Sequence, residues 1–466
     1  MTDTRTERDA LGGLEIPADA YWGIHTERAR RNFPISGRCV NPALIRALAQ
    51  VKLACALTNR DLGYLEDRKA EAVIAACREI AQGGFSGEFP VDAFQGGAGT
   101  STNMNMNEVV ANRAVELLEA ARGHDEVVHP IENVNLHQST NDVFPTAVKI
   151  AAIQGLRELS SAVAELQGAF QEKEKEFGHI VTIGRTELQD AVPMTLGVAF
   201  SAFAEAVSRD RWRTFKCEER LRVVNIGGTA VGTGLTAPRD YIFLVIEKLR
   251  DVTGLGLARG ENIAGETANA DSFVEVSGIL KAHAANLIKI ANDLRTLNAT
   301  GEIRLGALQA GSSIMPGKVN PVMMEAAIQT GIKVMANDWI VAEAAARGTL
   351  QINEFLPLLA DALLESLDVL TRVDRLLAAE VKRIEADEEV CRGYMERSPM
   401  VLTAFLPFIG YDRSGRLLAE YAGSGETNIR AFLEKKLGKE LVEKALSPYR
   451  LTALGYRKNG TDTEGK

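Results

Sequence analysis

The spacing of apolar side chains predicts long helices through the middle of the chain. Apolar residues recur at intervals of three or four positions over residues 150–170, 276–294 and 356–381, and alanine is frequent on these faces. This spacing places the apolar residues on one face of an α-helix. Helices of this length pack side by side in bundles. The chain is therefore predicted to be mainly α, with a long central helical bundle.

Glycine, proline and polar clusters divide this pattern into parts. Three domains are predicted: a mostly helical N-terminal domain at 1–140, the central long-helix bundle at 141–392 and a small C-terminal helical domain at 393–466. The first is expected to be irregular up to about Gly37, helical from about Asn41 and loop-rich over 95–107. The tail after Arg457 is expected to be disordered. Because no long stretch alternates between apolar and polar residues, we expect β-structure to be minor and near the ends.

The composition narrows the class of function. The chain has 466 residues, of which 46% are hydrophobic and 25% charged, and its formal net charge is −9. This charge disfavours nucleic acid and anionic membranes as partners, no apolar run has the length of a membrane span, and the N-terminus lacks the apolar core of a secretory signal. The five cysteines form no C-x-x-C pair, the six histidines show no H-E-x-x-H spacing, and no G-x-G-x-x-G follows a strand-like run. We therefore predict a cytoplasmic protein with no metal and no cofactor.

Four polar islands interrupt the apolar pattern. They are rich in Ser, Thr, Asn and Gly, and they lie at residues 96–105, 138–142, 184–190 and 311–321. One interpretation is that they cap helices: Ser139 or Asn141 would cap the helix after the second island, and Thr186 or Asp190 the helix after the third. Because all four islands supply hydrogen-bond donors, a shared site for a carboxylated ligand explains them together.

The fourth island, residues 311–321, predicts a loop that binds an anionic small molecule. Glycine and proline are too frequent there for a helix or a strand. Lys318 supplies a positive charge, Asn320 and the glycine amides supply donors, and Ser312 or Ser313 offers a hydroxyl for chemistry.

A nucleotide-binding loop is excluded by the spacing of the same island. That motif has four residues between its glycines and a Ser or Thr after the lysine. Here five residues separate Gly311 from Gly317, and Val319 follows the lysine. No hydroxyl is in place to bind magnesium, so ATP and GTP are rejected as ligands.

The islands resemble the conserved regions of the aspartase/fumarase superfamily of lyases. The sequence G-S-S-I-M-P-G-K-V-N-P at 311–321 matches the family's most specific motif at every position, and the resemblance extends from about residue 9 to 457. Further matching segments lie at 9–29, 232–235, 291–295 and 393–410. In the last of these, Leu406 stands where the family usually has asparagine. The R-T-x-L-Q-D-A-V-P sequence at 185–193 is more similar to the aspartate ammonia-lyase branch than to the fumarases.

The resemblance implies a homotetramer with a shared helical core, in which each active site takes groups from three subunits. It implies reversible anti elimination of ammonia from L-aspartate, a small dicarboxylate, to give fumarate through an enediolate intermediate. Donors placed for that dianion are then the main source of rate. Ser312 would be the general base, on a lid loop at 306–320 that orders when substrate binds.

The resemblance also assigns the substrate contacts. The carboxylate that becomes the enediolate would be held by four hydroxyl groups, those of Thr100, Ser139, Thr140 and Ser313. Lys318 and Asn320 would hold the other carboxylate. Asn141 and Thr186 would lie near the amino group.

Two features depart from the family pattern. Glu187 stands where the superfamily often has His and where aspartases also have Gln; either it pairs with the substrate ammonium and favours aspartate over malate, or it is a tolerated substitution. If Glu187 faces Glu325, one of the two carboxyls has a raised pKa and holds a proton. The segment after Arg295 lacks the family's G-P-R-x-G stretch, and 296–310 is shorter, which leaves open how the lid loop is anchored.

Two alternatives remain to the hypothesis that the protein eliminates ammonia from L-aspartate. One is a fumarase or another succinate-type lyase of the superfamily. The other is a scaffold that kept the fold and lost the activity. Ser312, Lys318, Asn320, Thr100 and Ser139 are all present, and a scaffold would not need them.

Overall fold

The computed structural model describes residues 3–456, and most of them are helical. Over that range the α-helices are α1 (Ile24–Asn32), α2 (Pro42–Asp61), α3 (Asp67–Ala81), α4 (Thr100–Leu117), α5 (Thr140–Glu176), α6 (Leu196–Leu221), α7 (Arg239–Thr253), α8 (Ile263–Ala268), α9 (Asp271–Thr300), α10 (Val322–Ala346), α11 (Leu356–Val381), α12 (Glu388–Arg397), α13 (Leu406–Ile409), α14 (Tyr411–Ser424), α15 (Ile429–Leu437), α16 (Lys439–Ala445) and α17 (Pro448–Thr452). The predicted disordered tail after Arg457 lies outside the described residues.

The three stretches with helical spacing lie inside α5, α9 and α11, so the prediction of long central helices is confirmed. Along α11, Leu359, Leu363, Leu367 and Leu370 are all buried, as their spacing requires. The predicted helical start near Asn41 is also confirmed. The side chain of Asn41 caps α2 by accepting a hydrogen bond from the backbone N–H of Ala43 at 2.8 Å.

Short strands pair in twos within residues 3–456. The pairs are β1 (Thr4–Asp9) with β2 (Gly12–Pro17), β3 (Val181–Thr186) with β4 (Gln189–Thr195), β5 (Val223–Val224) with β6 (Ala258–Arg259), and β7 (Ile303–Arg304) with β8 (Glu385–Ala386). The prediction that strands lie near the ends is wrong for the last three pairs. The strands of β5–β6 and β7–β8 have only two residues each, and β3 and β4 do not alternate strictly between buried and exposed positions. The N-terminal segment is not irregular either, since the β1–β2 hairpin and α1 occupy much of it.

The first polar island was expected to be a loop over 95–107, and this is wrong from Thr100 onward, where α4 begins. The asparagines of this stretch are compatible with a helix because their amides find partners inside the protein. Asn105 donates to the carbonyl of Glu88 at 2.9 Å, and Asn103 donates to the hydroxyl of Thr140 at 3.0 Å. Buried polar side chains that are hydrogen-bonded in this way do not break the helix.

The chain forms two compact units. The first comprises Met1–Ser161, Trp212–Ala284 and Gly331–Thr371, and the second comprises Ala162–Arg211, Ala285–Thr330 and Arg372–Lys466. This division is by contact and not by sequence order, and the three sequential domains stay a prediction.

In the first unit, the shorter helices α2, α3, α4 and α7 pack against one another, and segments of the long helices lie side by side. Gly155 of α5 allows a close approach, because a Cβ there would lie 3.1 Å from Leu367 of α11. Asn337 of α10 donates to the hydroxyl of Ser366 of α11 at 3.1 Å. This packing fixes the positions of α4 and α5, which begin at the predicted site residues Thr100 and Thr140.

In the second unit, other segments of the long helices pack together. Phe170 of α5 contacts Phe200 and Phe203 of α6 edge-on or tilted, and Asn286 of α9 donates to Asp210 of α6 at 2.8 Å. A separate apolar cluster lies among the C-terminal helices and includes Phe405.

Among the described helices, none combines the length and the apolar composition needed to cross a bilayer.

Candidate active site

The lid loop (306–320) contains no helix or strand, which confirms the loop prediction for this island. The Oγ of Ser312 accepts hydrogen bonds from the backbone N–H groups of Ile314 at 3.1 Å and Met315 at 2.9 Å. Two such donors favour negative charge on the oxygen they contact. The loop therefore has a local means of stabilising a Ser312 alkoxide.

The two ends of the motif are tied together. The N–H of Gly311 donates to the carbonyl of Lys318 at 2.8 Å, and the side-chain amide of Asn320 donates to the carbonyl of Gly311 at 2.8 Å. Glycine is required at 311, because a Cβ there would lie 2.6 Å from the carbonyl oxygen of Lys318. The side chains of Ser313 and Lys318 are exposed, so both are available to a ligand.

Thr186 and Glu187 lie at the tip of the β3–β4 hairpin. Thr186 pairs with Gln189, so Glu187 and Leu188 form a two-residue turn, with φ of 54° and 62°. Such a turn has a positive φ at both central residues, which is unfavourable for side chains other than Gly, Asn or Asp. Both Thr186 and Glu187 are exposed.

The capping interpretation of the third island is wrong. The helix that follows begins at Leu196, and Thr186 and Asp190 belong to paired strands instead. Among the described residues, Glu187 has no side-chain hydrogen bond or ion pair, and its pairing with Glu325 stays a prediction.

Ser139, Thr140 and Asn141 lie where α5 begins. Ser139 precedes the first helical residue, and its Oγ accepts from the N–H of Asn141 at 3.2 Å, so the helix begins at Thr140. The side-chain amide of Asn141 donates to the carbonyl of Ala230 at 2.7 Å. The hydroxyl of Thr140 accepts from Asn103. The start of α5 is thus held by hydrogen bonds to Asn103 and to Ala230.

Thr100 is the first residue of α4 and is exposed. It follows Gly99, whose φ is 94° and where a Cβ would lie 2.5 Å from the ring of Phe144. Only glycine fits this position, so the local sequence fixes where the helix begins. The backbone N–H groups of Thr100 and Thr102 donate to the carbonyl of Gly97 at 2.9 Å and to the side chain of Gln95 at 3.0 Å, so the exposed hydroxyl of Thr100 is the group available for a carboxylate contact.

The predicted site residues fall into two sets. Thr100, Ser139, Thr140 and Asn141 belong to the first unit, while Thr186, Glu187, Ser312, Ser313, Lys318 and Asn320 belong to the second. The first set lies at the starts of α4 and α5, and the second set lies at the tip of the β3–β4 hairpin and in the lid loop.

Comparisons with known proteins identify the family to which this chain belongs. A family model described as lyase matches residues 12–336. An aspartate ammonia-lyase from Bacillus sp is 42% identical over 463 residues, covering 97% of this chain and 98% of that protein. The chain belongs to the aspartase/fumarase superfamily of lyases.

Other members of the superfamily are similar over nearly the whole length. The aspartate ammonia-lyase of Escherichia coli (strain K12) is 42% identical, with 93% of this chain and 92% of that protein covered. A crystal structure of fumarate lyase:delta crystallin from Brucella melitensis bound to cobalt is 44% identical, with a TM-score of 0.93 over 97% of this chain and 100% of that one. A recombinant class II fumarase from Schistosoma mansoni is 31% identical, with a TM-score of 0.90 over 97% and 99%. The mainly helical superfamily fold is confirmed.

The sequence analysis did not identify the buried carboxylate of Asp142. Asp142 follows Asn141, and its two oxygens accept from the N–H groups of Ser139 at 3.1 Å and Thr229 at 2.9 Å. Burial raises the pKa of Asp142 to about 6, although the backbone donors oppose that shift. An aspartate directly after Ser-Thr-Asn was visible in the sequence, but its partner near Thr229 is remote along the chain.

A buried lysine was also missed. Lys52 is 1% exposed, and its ammonium donates to the side-chain oxygens of Asn135 at 2.9 Å and Gln138 at 2.8 Å. Burial lowers its pKa to about 8. Lys52 thus holds the segment that leads into Ser139. The only signal in the sequence was a lysine between Val51 and Leu53 in an apolar helix.

No cluster of three or more His, Cys, Asp or Glu side chains suited to a metal ion occurs within residues 3–456.

Proposed function

We propose that this protein is an aspartate ammonia-lyase, which eliminates ammonia from L-aspartate to give fumarate and runs the reverse addition. The observation that carries the proposal is the lid loop, in which Ser312 accepts two backbone N–H donors within the superfamily's most specific motif. The aspartate ammonia-lyases that are about 42% identical over nearly the full chain support the choice of substrate.

The difficult step removes a proton from the carbon next to a carboxylate. Ser312 acts as the base in its alkoxide form, which the N–H groups of Ile314 and Met315 favour. The charge moves onto the carboxylate, which becomes an enediolate. Donors that fit the enediolate better than the substrate lower the barrier. Thr100, Ser139, Thr140 and Ser313 take this role because they offer hydroxyl donors.

The rest of the substrate is held by groups of both signs. Lys318 and Asn320 bind the other carboxylate, and Asn141, Thr186 and Glu187 contact the amino group that leaves. The lid loop closes over the substrate and excludes water, which strengthens each of these electrostatic contacts. The exposed positions of Ser313, Lys318 and Glu187 are consistent with groups that await a ligand.

The same proposal includes a cytoplasmic homotetramer whose active sites each take residues from three subunits. Its support is an exposed apolar face on a long helix of the first unit. On α10, Ile332 is 57% exposed and Trp339 is 67% exposed, one heptad apart on the same side. Large apolar side chains at such spacing commonly bury against another chain. The occupant that fits is a second copy of this chain.

Replacing Trp339 with aspartate is expected to dissociate the assembly, because a carboxylate cannot be buried without a partner. Light scattering during size-exclusion chromatography should show a fall in mass, and fumarate formation should be lost with it. Tyr411→Asp is the matched control, since Tyr411 is 83% exposed at the start of α14, and it should remain assembled. An unchanged mass for Trp339→Asp would remove this face from the interface.

The ultraviolet absorbance of fumarate separates the candidate functions. A rise with L-aspartate supports the proposed lyase. A rise with malate and none with aspartate supports a fumarase, which the likeness to the class II fumarase keeps as the second candidate. No rise with either supports a non-catalytic scaffold.

Glu187→Gln should reduce the preference for aspartate over malate. The carboxylate of Glu187 is exposed and unpartnered among the described residues, so it is available to an ammonium group, and a charged hydrogen bond is worth about 1.5–3 kcal/mol. The kcat/KM for aspartate is expected to fall roughly tenfold or more, with a smaller change for malate. Asp412→Asn neutralises an exposed carboxylate at the start of α14, away from the hairpin residues, and should leave the ratio unchanged. An unaltered ratio in Glu187→Gln would make the tolerated-substitution interpretation correct.

A further inference from the structure

A fully buried carboxylate, Glu302, connects two segments of the second unit. Its Oε1 accepts from the hydroxyl of Thr182 on β3, and its Oε2 accepts from Nη1 of Arg185 at 2.5 Å and from the hydroxyl of Thr300 at 2.7 Å. The side chain of Glu302 is 0% exposed. A buried charge of this kind is stable only because its partners satisfy it.

On one side of Glu302 lies the base of the lid loop. Directly after Glu302, β7 pairs with β8, and the N–H of Leu305 donates to the side-chain oxygen of Asn298 at 3.0 Å. The N–H of Gly306 then donates to Oε1 of buried Glu380 at 3.0 Å. These bonds anchor the lid loop in the shortened segment that lacks the G-P-R-x-G stretch.

On the other side lies the hairpin that carries Thr186 and Glu187. Arg185 immediately precedes Thr186, and its guanidinium lies over the ring of Tyr394 at 4.5 Å. The hydroxyl of Tyr394 in turn donates to the carbonyl of Thr300 at 3.1 Å, beside Glu302. Nη2 of Arg185 is buried without a hydrogen-bond partner among the described residues, and Asp190 lies 3.8 Å from Nε, beyond hydrogen-bond distance. Glu302 is therefore the carboxylate to which this guanidinium is hydrogen-bonded.

We propose that Glu302 is a positioning residue that couples the base of the lid loop to the tip of the β3–β4 hairpin. Ordering of the lid loop and placement of Thr186 and Glu187 in the same chain then occur together, whichever subunit's active site each one completes. The relevance of this coupling to catalysis rests on the proposed lyase function, in which both elements contact substrate.

Hydrogen–deuterium exchange of the assembled protein, with and without succinate, tests the coupling directly. Succinate is a dicarboxylate that lacks a leaving group. In Glu302→Gln the side-chain shape remains, but the charge that holds Arg185 is lost. One acceptor oxygen becomes an NH2 group, so one of the two threonine hydroxyls must turn to accept a hydrogen bond. Exchange is expected to rise by about tenfold at both the lid loop and the hairpin tip, and protection by succinate should weaken at both.

Glu380→Gln is the matched control, because it alters the other buried carboxylate at the lid base and has no bond to the hairpin. It should raise exchange in the lid loop alone. Should Glu302→Gln fail to fold, Arg185→Lys keeps the charge but loses the guanidinium geometry, and it should also raise exchange at both elements. A change confined to one element in Glu302→Gln, or in Arg185→Lys if that variant replaces it, would overturn the proposal.

Kinetics give a second readout that a purely structural role would not produce. For Glu302→Gln at a temperature where the variant stays folded, kcat for aspartate is expected to fall about tenfold, while Glu380→Gln should change it less. A kcat equal to that of the wild type would contradict the coupling to catalysis. If the wild-type protein itself forms no fumarate from aspartate, the proposed function fails, and the exchange experiment still decides whether the two elements are coupled.

Discussion

Ser312→Ala is expected to lower kcat for fumarate formation by about 10³-fold, because removal of a general base typically costs 10²- to 10⁴-fold. The alanine variant lacks the oxygen that accepts from the N–H groups of Ile314 and Met315. It keeps Lys318 and Asn320, so substrate should still bind. Initial rates across a range of aspartate concentrations, with binding measured by calorimetry, would separate the loss of kcat from any change in affinity.

Ser313→Ala is the matched control for this experiment. It removes a neighbouring hydroxyl in the same exposed loop, and in the proposed mechanism that hydroxyl holds a carboxylate and does not take the proton. Its kcat should fall by less than that of Ser312→Ala, and the pH dependence of kcat should keep the wild-type form. If Ser312→Ala retained most of the wild-type kcat, the base would have to be another group.

The lid loop shows how far the sequence alone predicts this site. Its glycines and prolines exclude regular structure locally, so the loop at 311–321 could be predicted without any tertiary information, and the structure agrees. The long helices were equally predictable, because positions such as Leu363 and Leu367 follow helical spacing and are buried. In these segments the local pattern and the tertiary packing favour the same conformation.

The misread islands show where local pattern is insufficient. Thr100 to Asn107 is rich in Asn, yet it is helical because partners far along the chain satisfy the amides. The hairpin turn at Glu187 and Leu188 has positive φ at two residues that rarely adopt it, so no turn signal marked it. The ion pair of Arg185 with Glu302 spans more than a hundred positions, and no periodicity reports such a contact.

Replacing Asp142 with alanine is the second substitution for which we expect a large effect, and it should lower both the stability and the activity of the protein. Its carboxylate is the shared acceptor for the N–H groups of Ser139 and Thr229. Asp142→Ala leaves both donors without this acceptor, and an unsatisfied buried donor costs about 1–3 kcal/mol. The free energy of unfolding is therefore expected to fall by roughly 2–5 kcal/mol. Because Ser139 loses its backbone anchor, kcat/KM should fall by about a hundredfold as well.

The pH dependence of this loss has a definite sign. Burial raises the pKa of Asp142 from 3.8 to about 6. Between these two pH values the folded protein therefore binds more protons than the unfolded chain. The stability that protonation of Asp142 contributes is fully present below pH 4 and is lost as the pH rises to 6. The difference in unfolding free energy between wild type and Asp142→Ala should therefore be larger near the lower end of that window than at pH 7. Urea denaturation at fixed protein concentration measures it. Asp240→Ala, at an exposed aspartate on α7, is the matched control and should show only a small difference. A difference for Asp142→Ala that grew with rising pH would mean that the buried carboxyl is held in its ionised form by its backbone donors throughout.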